Sequence, residues 1–437
     1  MTRYRTLLIP AVFGLAATAA AVPLLTGQTP PAPLPPSVTG TPTPQPIQPA
    51  SATTTVPPAA PIARFQDLKS FPPETVAAVY SMRAGADWLW RMNQPNGRFF
   101  PGVIPALKIA TPDDPDFRQA CAALALARAA KFTGDERFAT RAAQAVLVLL
   151  TLTKPDPQDA TCRVPTAPSD KCNRVGFAAA VALAAYELPD AKMHAEAECL
   201  CNFLRKQLRA DGSVHYADAD TDVPTKLDPD GVNVYPGLAL EAIAVSHRAK
   251  PEAWKKDAVA KAAAYYRTWF QSSPTPAMAG TMLPAFAAGA GEAKDDPVKS
   301  AAFEMADWLC EKQYTPATAA HRGWIGGFSK TGTGEPAWDS ATCAGGLAAA
   351  VKLTRAAGDV TRYATYRRAT VDALTFARGL QFTDDSADHF EKGFRTKFLL
   401  GGVHLSPTDG TARIDATAAA VAANLAYLSS GGEMRGD

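Results

Sequence analysis

The segment GFAAAVALAAYEL, residues 176–188, decides the fold of this chain. Small and apolar side chains stand on nearly all sides of the helix that it would form, rather than along one stripe. Such a helix is stable in water only where other elements surround it. The segment CAGGLAAAVKL at 343–353 has the same character. The sequence therefore predicts interior helices enclosed by an outer set.

Similar periodic blocks fill the chain from about residue 75 onward, with apolar residues recurring every three or four positions. In TGDERFATRA (133–142) and AGDVTRYATYRRA (357–369), a Gly ends one block and an Asp begins the next. The predicted helices are 75–94, 115–132, 136–152, 174–188, 191–209, 235–248, 252–271, 276–289, 294–313, 339–357, 360–381 and 414–429.

The predicted helices alternate in character along the chain. Odd-numbered helices carry charges and bulky aromatics, as in DAVAKAAAYYRTWF at 257–270, whereas even-numbered helices are small and apolar. Taken in pairs they form six similar hairpins, and such self-similarity is typical of repeat folds. Alternating amphipathic and buried helices fit two concentric rings. We therefore predict an all-α domain over residues 66–432, an (α/α)6 toroid with the even-numbered helices inside.

A recurring text marks the ends of outer helices. It reads WLWRMNQPNGRFF at 88–100, FLRKQLRADGSVHY at 203–216, WLCEKQYTPATAAHRGW at 308–324 and, weakly, FARGLQF at 376–382. The aromatic and Leu residues are predicted to pack inward, and the Gln to bond the free carbonyls at the end of its own helix. The Gly residues that follow allow the tight turns toward the next inner helix.

The first 65 residues differ from the rest in composition. Residues 1–27 combine early arginines, an apolar run at 7–25 and small residues, which predicts a signal peptide, with an uncleaved membrane tether through 7–25 as the open alternative. Residues 28–65 are rich in Pro, Thr and Ala and are predicted to be a disordered linker. Residues 433–437 are expected to form a flexible tail. The protein is therefore expected to be exported, as a periplasmic, cell-surface or secreted protein.

Charge and cysteine content narrow the possible partners. The net charge is +2 over 437 residues and there is no basic arm, so no nucleic-acid partner is expected. Cys162 and Cys172 flank a polar loop and are predicted to form a disulfide, which suits an exported protein. The six histidines show no metal-ligand spacing, and no nucleotide-binding fingerprint occurs. We expect a monomer without metal or cofactor.

Parts of the amino-acid sequence resemble those of known toroid families. FLRKQLRADGS at 203–213 resembles the repeat of terpenoid cyclases and protein prenyltransferases, whereas VYPGLALEAIAVSHR (234–248) and RIDATAAAVAANLAYL (413–428) are more similar to six-hairpin glycosidases and sugar epimerases. The resemblance covers about 75–430 and implies the toroid fold. Two features depart from these families. No Asp-x-Asp-Asp motif begins an inner helix, and Leu238 follows Tyr-Pro-Gly where sugar-type toroids commonly have an acidic residue.

Four carboxylates are candidates for catalysis in the central funnel. Asp339 and Asp415 stand where inner helices begin, so they are either helix caps or an acid/base pair of the kind that glycosidic cleavage needs. Glu241 lies about one turn into its helix and is predicted to be a buried carboxyl, or else part of a salt bridge. Asp222 belongs to the acidic loop 211–235, which is a catalytic or Ca²⁺-binding segment or a solvated surface loop.

Aromatic, cationic and imidazole side chains in the loops between outer and inner helices suit sugar rings and their substituents. The predicted substrate-binding residues are Arg98, Phe99, Phe100, His215, Tyr216, Tyr235, His321, Trp324, Trp338 and Arg413. The leading hypothesis is a carbohydrate-active enzyme, a hydrolase, lyase or epimerase, that acts on a polysaccharide or oligosaccharide. The alternatives are a non-catalytic binding toroid, in which all inner acids are paired, and a terpenoid-cyclase or prenyltransferase-like enzyme with a deep apolar cavity.

Overall fold

The computed structural model describes residues 67–166, 172–216, 231–293, 295–330 and 332–430. These residues form an outer and an inner ring of long helices that alternate along the chain. The outer helices are α1 Pro73–Met92, α3 Glu136–Thr151, α5 Ala191–Lys206, α7 Ala253–Ser272, α9 Pro297–Lys312 and α11 Val360–Gly379. The inner helices are α2 Asp116–Thr133, α4 Arg174–Glu187, α6 Tyr235–Ala249, α8 Pro276–Gly289, α10 Ser340–Ala357 and α12 Ile414–Ser429.

The predicted toroid is confirmed. Each inner helix packs against the next inner helix, and α12 closes the ring against α2. The predicted helix boundaries differ from the observed ones by at most three residues. The interior character of α4 is also confirmed, since every residue from Val175 to Ala185 is buried. None of the helices in the described ranges combines the length and apolar character that crossing a bilayer requires.

Short strands, which the all-α prediction did not include, lie in the loops. They are β1 Gly102–Ile104, β2 Ile109–Ala110, β3 Thr153–Asp156, β4 Asp159–Pro165 and β5 Ala412–Arg413. Strand β1 pairs antiparallel with β2 on one side and with β5 on the other, and β3 pairs antiparallel with β4. The loops between outer and inner helices are long enough for their backbone N–H and C=O groups to form hydrogen bonds with one another in such strands. The three-to-four spacing of apolar residues, from which the helices were predicted, gives no indication of these strands.

The loops from outer to inner helices meet at the end of the ring where the inner helices begin, which we call the mouth. Most of these loops are long, as the sequence predicts, although only Ser273–Thr275 connects α7 to α8. The return connections at the opposite end, which we call the far end, are short, as at Gly134–Asp135 and Gly358–Asp359. The mouth is therefore the face on which loop residues gather.

The recurring glutamines join neighbouring hairpins. Gln313 Nε2 donates to the carbonyls of Gly326 in its own loop, at 2.9 Å, and of Ala369 on α11, at 2.8 Å. Gln381 Nε2 likewise donates to Gly401 at 2.9 Å and to Ser81 on α1 at 3.1 Å. The prediction that each Gln bonds the end of its own helix is thus wrong for these two. Each ties its loop to the next outer helix, and Gln381 does so where the ring closes.

Glycines in the same two loops allow the loop backbone to approach the neighbouring outer helix closely. Gly326 and Gly401 have φ values of 88° and 89°, in the left-handed region that side chains disfavour. A Cβ on Gly326 would overlap the carbonyl group of Asp372 on α11, and one on Gly401 would overlap that of Ala84 on α1. The loop backbone therefore packs directly against the neighbouring outer helix.

We expect Gly326→Ala to destabilise the protein more than Gly358→Ala does. Both glycines have left-handed φ values, which cost an alanine roughly 1–2 kcal/mol. A Cβ on Gly358 would extend into open space, whereas one on Gly326 would meet the backbone of α11. Urea unfolding of both variants measures the difference, which isolates the interhelical contact. Equal losses of unfolding free energy would mean that α11 moves away without cost.

Candidate functional site

A cavity of about 1560 Å³ runs along the axis of the inner ring. Its wall includes first-turn residues at the mouth, such as Asp415, and residues toward the far end, such as Lys352 on α10 and Ser429 at the end of α12. The inner helices have 14 to 18 residues, so they are roughly 21–27 Å long. The cavity is therefore a channel along the whole ring rather than a shallow cleft.

Small side chains keep this channel open. On α12 the half-buried positions are Asp415, Ala419, Ala422 and Ala426, spaced three or four residues apart, and all four line the cavity. On α10 the corresponding positions are Thr342, Gly345, Ala349 and Lys352. The expectation that inner helices are buried on nearly all sides holds for α4, but the other five each present one lining stripe.

Asp339 lies at the mouth, directly before α10. It occupies the N-cap position, but its side chain makes no capping hydrogen bond. Its Oδ1 is shielded from solvent and has no hydrogen-bond partner among the described residues. Burial raises the pKa of this carboxyl above its usual value, although the positive charge of Lys330 opposes the shift. Asp339 is therefore suited to hold and donate a proton.

Asp415 lies in the first turn of α12 and has the opposite environment. Arg413 forms a bidentate pair with it, at 2.8 Å from Nε and 2.6 Å from Nη2, and Arg118 Nε lies 3.3 Å from its Oδ2. The Arg413 guanidinium also lies 5.8 Å from the centre of the Trp338 ring. The mouth thus combines one buried carboxyl without a bonded Oδ1 and one carboxylate held by two arginines.

Two predicted aromatic residues share this mouth with Trp338. Tyr216 and Tyr235 both line the cavity, and Tyr235 packs edge-on against Phe117 with ring centres 5.2 Å apart. Asn173 caps α4 through Gly176 N and donates from Nδ2 to the Tyr216 carbonyl at 2.8 Å. Packed side chains and a capped helix end therefore position these rings.

The segment Arg98–Phe100 does not reach the cavity wall. Arg98 forms ion pairs with Asp114 and Asp116, at 2.9 and 2.8 Å. Phe99 is buried and its backbone bonds the side-chain amide of Gln119, while Phe100 packs near Phe398. The predicted substrate contacts of this segment are therefore corrected to structural roles.

Three further predicted residues also stand apart from the channel. The rings of His321 and Trp324 pack against each other at 4.7 Å outside the lining, and His215 is likewise not part of it. Asp222 lies outside the described residues, so its role stays a prediction.

Cys162 lies near Lys206, whereas Cys172 lines the channel near Cys121. The structure does not join these two cysteines, and their disulfide stays a prediction.

Glu241 faces the deeper part of the channel, away from Asp339. Its Oε1 accepts a hydrogen bond from Arg128 Nη2 at 2.6 Å. Arg128 also approaches Glu187 at 3.4 Å, and Lys131 pairs with Glu187 at 2.8 Å. The structure thus agrees with the second expectation for Glu241, a salt bridge. Of the four candidate carboxylates, Asp339 and Asp415 lie at the mouth, and Asp222 stays a prediction.

Sequence reasoning missed several residues of the mouth. Asp113, Asp114, Phe117 and Arg118 line it, and Asp113 forms an ion pair with Arg118 at 2.8 Å. The sequence did contain an indication of these residues. The acidic segment TPDDPDF at 111–117 leads into the start of α2, just as Asp339 directly precedes α10. Within the described ranges, no group of three or more His, Cys, Asp or Glu residues is arranged to hold a metal ion.

Comparison with known proteins identifies the fold. No known protein family and no curated protein matches this chain by sequence. Among solved structures, the unsaturated glucuronyl hydrolase of Bacillus sp. GL1 is 14% identical and aligns over 80% of this chain and 96% of its own, with a TM-score of 0.56. A cellobiose 2-epimerase from Bacillus thermoamylovorans is 11% identical over 80% of this chain and 98% of its own, also with a TM-score of 0.56.

A third similar structure is an inactive variant of an α-1,6-mannanase from a Salegentibacter species, in which two adjacent aspartates are replaced, in complex with α-1,6-mannotriose. It is 10% identical over 81% of this chain and 99% of its own, with a TM-score of 0.52. These neighbours belong to the six-hairpin glycosidase superfamily. The chain has their (α/α)6 toroid fold, as the sequence resemblance implies.

Proposed function

We propose that the protein is a carbohydrate-active enzyme whose acid–base chemistry takes place at the mouth of the toroid. The state of Asp339 carries the proposal, because a shielded carboxyl with a raised pKa keeps its proton to a higher pH than an exposed one and can donate it. Similar folds include glycoside hydrolases and a sugar epimerase, which supports an oligosaccharide or polysaccharide as the partner. Hydrolysis, elimination and epimerisation all use such proton transfer.

The two carboxyl groups can act as a pair. Asp339 directly precedes α10 and Asp415 lies in the first turn of the neighbouring inner helix α12, and packed helices lie about 8–10 Å apart. Glycosidic cleavage uses carboxyl groups about 5–9.5 Å apart, one as acid and the other as nucleophile or base. Asp339 would protonate the leaving oxygen, and Asp415 would stabilise the positive sugar ring or activate water. Trp338, Tyr216 and Tyr235 offer flat faces for sugar rings.

We expect Asp415→Asn to lower turnover by about 10²–10⁴-fold, as loss of a catalytic carboxylate does. The full chain is incubated with α-1,6-manno-oligosaccharides, unsaturated glucuronyl oligosaccharides and cellobiose, and chromatography detects products. Asp116→Asn is the matched control, because this first-turn carboxylate also pairs with an arginine but does not line the cavity. Consumption of a sugar by the control but not by Asp415→Asn supports the pair. Equal activity in both variants would remove Asp415 from the mechanism.

A second candidate is an acid-initiated reaction of a linear isoprenoid, which the deep apolar channel favours. Asp339 would donate its proton to an alkene carbon, and after ring closure the resulting carbocation would lose a proton to water; Asp415 would not be required. Squalene incubated with the protein and analysed by gas chromatography tests this candidate, since a cyclised product would support it.

A non-catalytic scaffold is less well supported, because it predicts that every inner acid is capped or paired, and Oδ1 of Asp339 is neither.

The cellular setting remains part of the proposal. The apolar run 7–25, the linker 28–65 and the tail 433–437 all lie outside the described residues. We propose export, with or without a membrane tether, on the composition of these segments alone. That the exported protein is a monomer is a separate proposal.

A further inference from the structure

A cluster of cations lines the part of the channel toward the far end. It consists of Arg128 and Lys131 on α2, Arg248 on α6 and Lys352 on α10, together with the carboxylates Glu187 and Glu241. Four cations face two carboxylates, which leaves an excess of two positive charges. Glu187 and Glu241 are engaged by Arg128 and Lys131. Among the described residues, no carboxylate lies within ion-pair distance of Arg248 or Lys352.

The pKa of Lys352 is lowered in this part of the channel. Burial lowers the pKa of its ammonium group, the charges of Arg248 and Arg128 lower it further, and the more weakly acting carboxylates Glu241 and Glu187 oppose the shift. The C-terminal ends of the surrounding inner helices carry partial negative charge, which offsets part of the repulsion but is weak where solvent reaches the helix ends. A bound anion would supply the missing charge, and it could reach the cluster because Arg248 and Lys352, although surrounded by other groups in the channel, keep part of their surface in contact with solvent.

The channel between the mouth and this cluster is apolar. Its middle section is walled chiefly by small or aliphatic side chains: Ala125, Leu238, Gly280, Pro284, Gly345, Ala349, Ala419 and Ala422. Few polar groups in this section are available to bind water, so an apolar chain would be favoured there. A channel along six helices has room for a long and narrow molecule.

We propose that the channel binds an amphiphile, an unbranched apolar chain that ends in an anionic carboxylate or phosphate group. The apolar chain lies along the Ala- and Gly-lined stripes, and the anionic end is bound by Arg248 and Lys352. Charge complementarity at the far end fixes the orientation of the ligand. The inference does not depend on which reaction takes place at the mouth, since it rests on different residues.

Isothermal titration calorimetry of the full chain tests the proposal with four probes below their micelle concentrations. Dodecanoate and dodecyl phosphate carry a chain and an anion, dodecanol carries the chain alone, and inorganic phosphate carries the anion alone. We expect one-to-one binding of at least one dodecyl anion, and at least tenfold weaker binding of dodecanol and of phosphate. The tighter of the two anions identifies the head group. Phosphate binding as tightly as dodecyl phosphate, or no binding of either dodecyl anion, would overturn the proposal.

Variants separate the two parts of the site. Arg248→Gln combined with Lys352→Gln should weaken the dodecyl anions at least tenfold and leave dodecanol unchanged, whereas Lys256→Gln, at an exposed position of α7, should change neither. Ala422→Phe should obstruct the channel and abolish binding of all chain-bearing probes. Gly345→Leu is the second obstructing variant, because a Cβ there meets only Ala423, at 3.7 and 3.9 Å. Unchanged affinity in a folded obstructing variant would place the probe elsewhere.

Discussion

Asp339→Asn is expected to lower turnover of any glycan that the protein cleaves by about 10²–10⁴-fold, the usual contribution of a general acid. Asparagine has nearly the shape of aspartic acid but carries no acidic proton. The side chain makes no capping hydrogen bond in the native protein, so its replacement removes none from α10. The effect should therefore fall on the catalytic rate, measured as kcat on the responsive sugar of the panel.

The same substitution should leave stability unchanged or raise it. Burial raises the pKa of Asp339 in the folded protein, so ionising this group costs folding free energy above its unfolded pKa of about 3.9. Asparagine never ionises and avoids that cost. We expect the melting temperature of Asp339→Asn to equal or exceed that of the wild type at pH 7. The difference should vanish as the pH falls below about 4.

The pH profile of activity provides a further test of the role of Asp339. Because the acid must be protonated, activity of the wild type should decline on the alkaline side as Asp339 loses its proton. Residual activity of Asp339→Asn should lack this alkaline limb, whereas residual activity of Asp415→Asn should keep it. A large loss of melting temperature with activity retained would assign Asp339 a purely structural role.

The ring architecture could be predicted because it follows from local patterns. The alternation between helices such as α7, with Tyr and Trp residues among charges, and α4, which is apolar all round, specifies which helices lie outside. Gly and Asp at the helix junctions give the boundaries. The strands β1 to β5 and the bonds of Gln313 to α11 could not be predicted, because both depend on contacts between segments far apart in sequence.

The candidate site was predictable only in part. Asp339 and Asp415 could be selected from their place at inner-helix starts, but their environments depend on residues from other loops, such as Arg118. A central funnel was predicted, but its extension as a channel along the whole ring was not, because the sequence pattern around an alanine such as Ala422 is the same whether that residue faces a neighbouring helix or the open axis. The sequence left Glu241 between a buried carboxyl and a salt bridge for the same reason, since its partner Arg128 lies on a different helix.

The largest effect on stability is expected from Glu198→Gln. Glu198 on α5 accepts hydrogen bonds from three other helices: from Lys255 Nζ on α7 at 2.6 Å, Ser246 Oγ on α6 at 2.7 Å and the Tyr186 hydroxyl on α4 at 2.8 Å. The Lys255 side chain has 0% of its surface exposed. Removing the carboxylate would leave this ammonium group buried without a counter-charge, which costs about 3–5 kcal/mol.

Urea unfolding at pH 7 measures this loss, and Glu304→Gln is the matched control. Glu304 on α9 pairs with Arg267 at 2.6 Å, but that arginine side chain is 47% exposed, so its loss should cost at most about 1 kcal/mol. Similar losses in the two variants would show that Lys255 regains solvent when its partner is removed, and would exclude the buried pair as a strong link between α5 and α7.

The effect of Glu198→Gln should depend on pH in a defined direction. Burial alone would raise the pKa of Glu198, but the hydrogen bonds from Lys255, Ser246 and Tyr186 outweigh it and hold the pKa below its ordinary value. The stabilisation is therefore fully present above the unfolded pKa of about 4.3 and is lost as the pH falls through the lower folded value. The stability gap between wild type and variant should narrow over that acidic range. A gap independent of pH would indicate that packing, rather than charge, holds these four helices together.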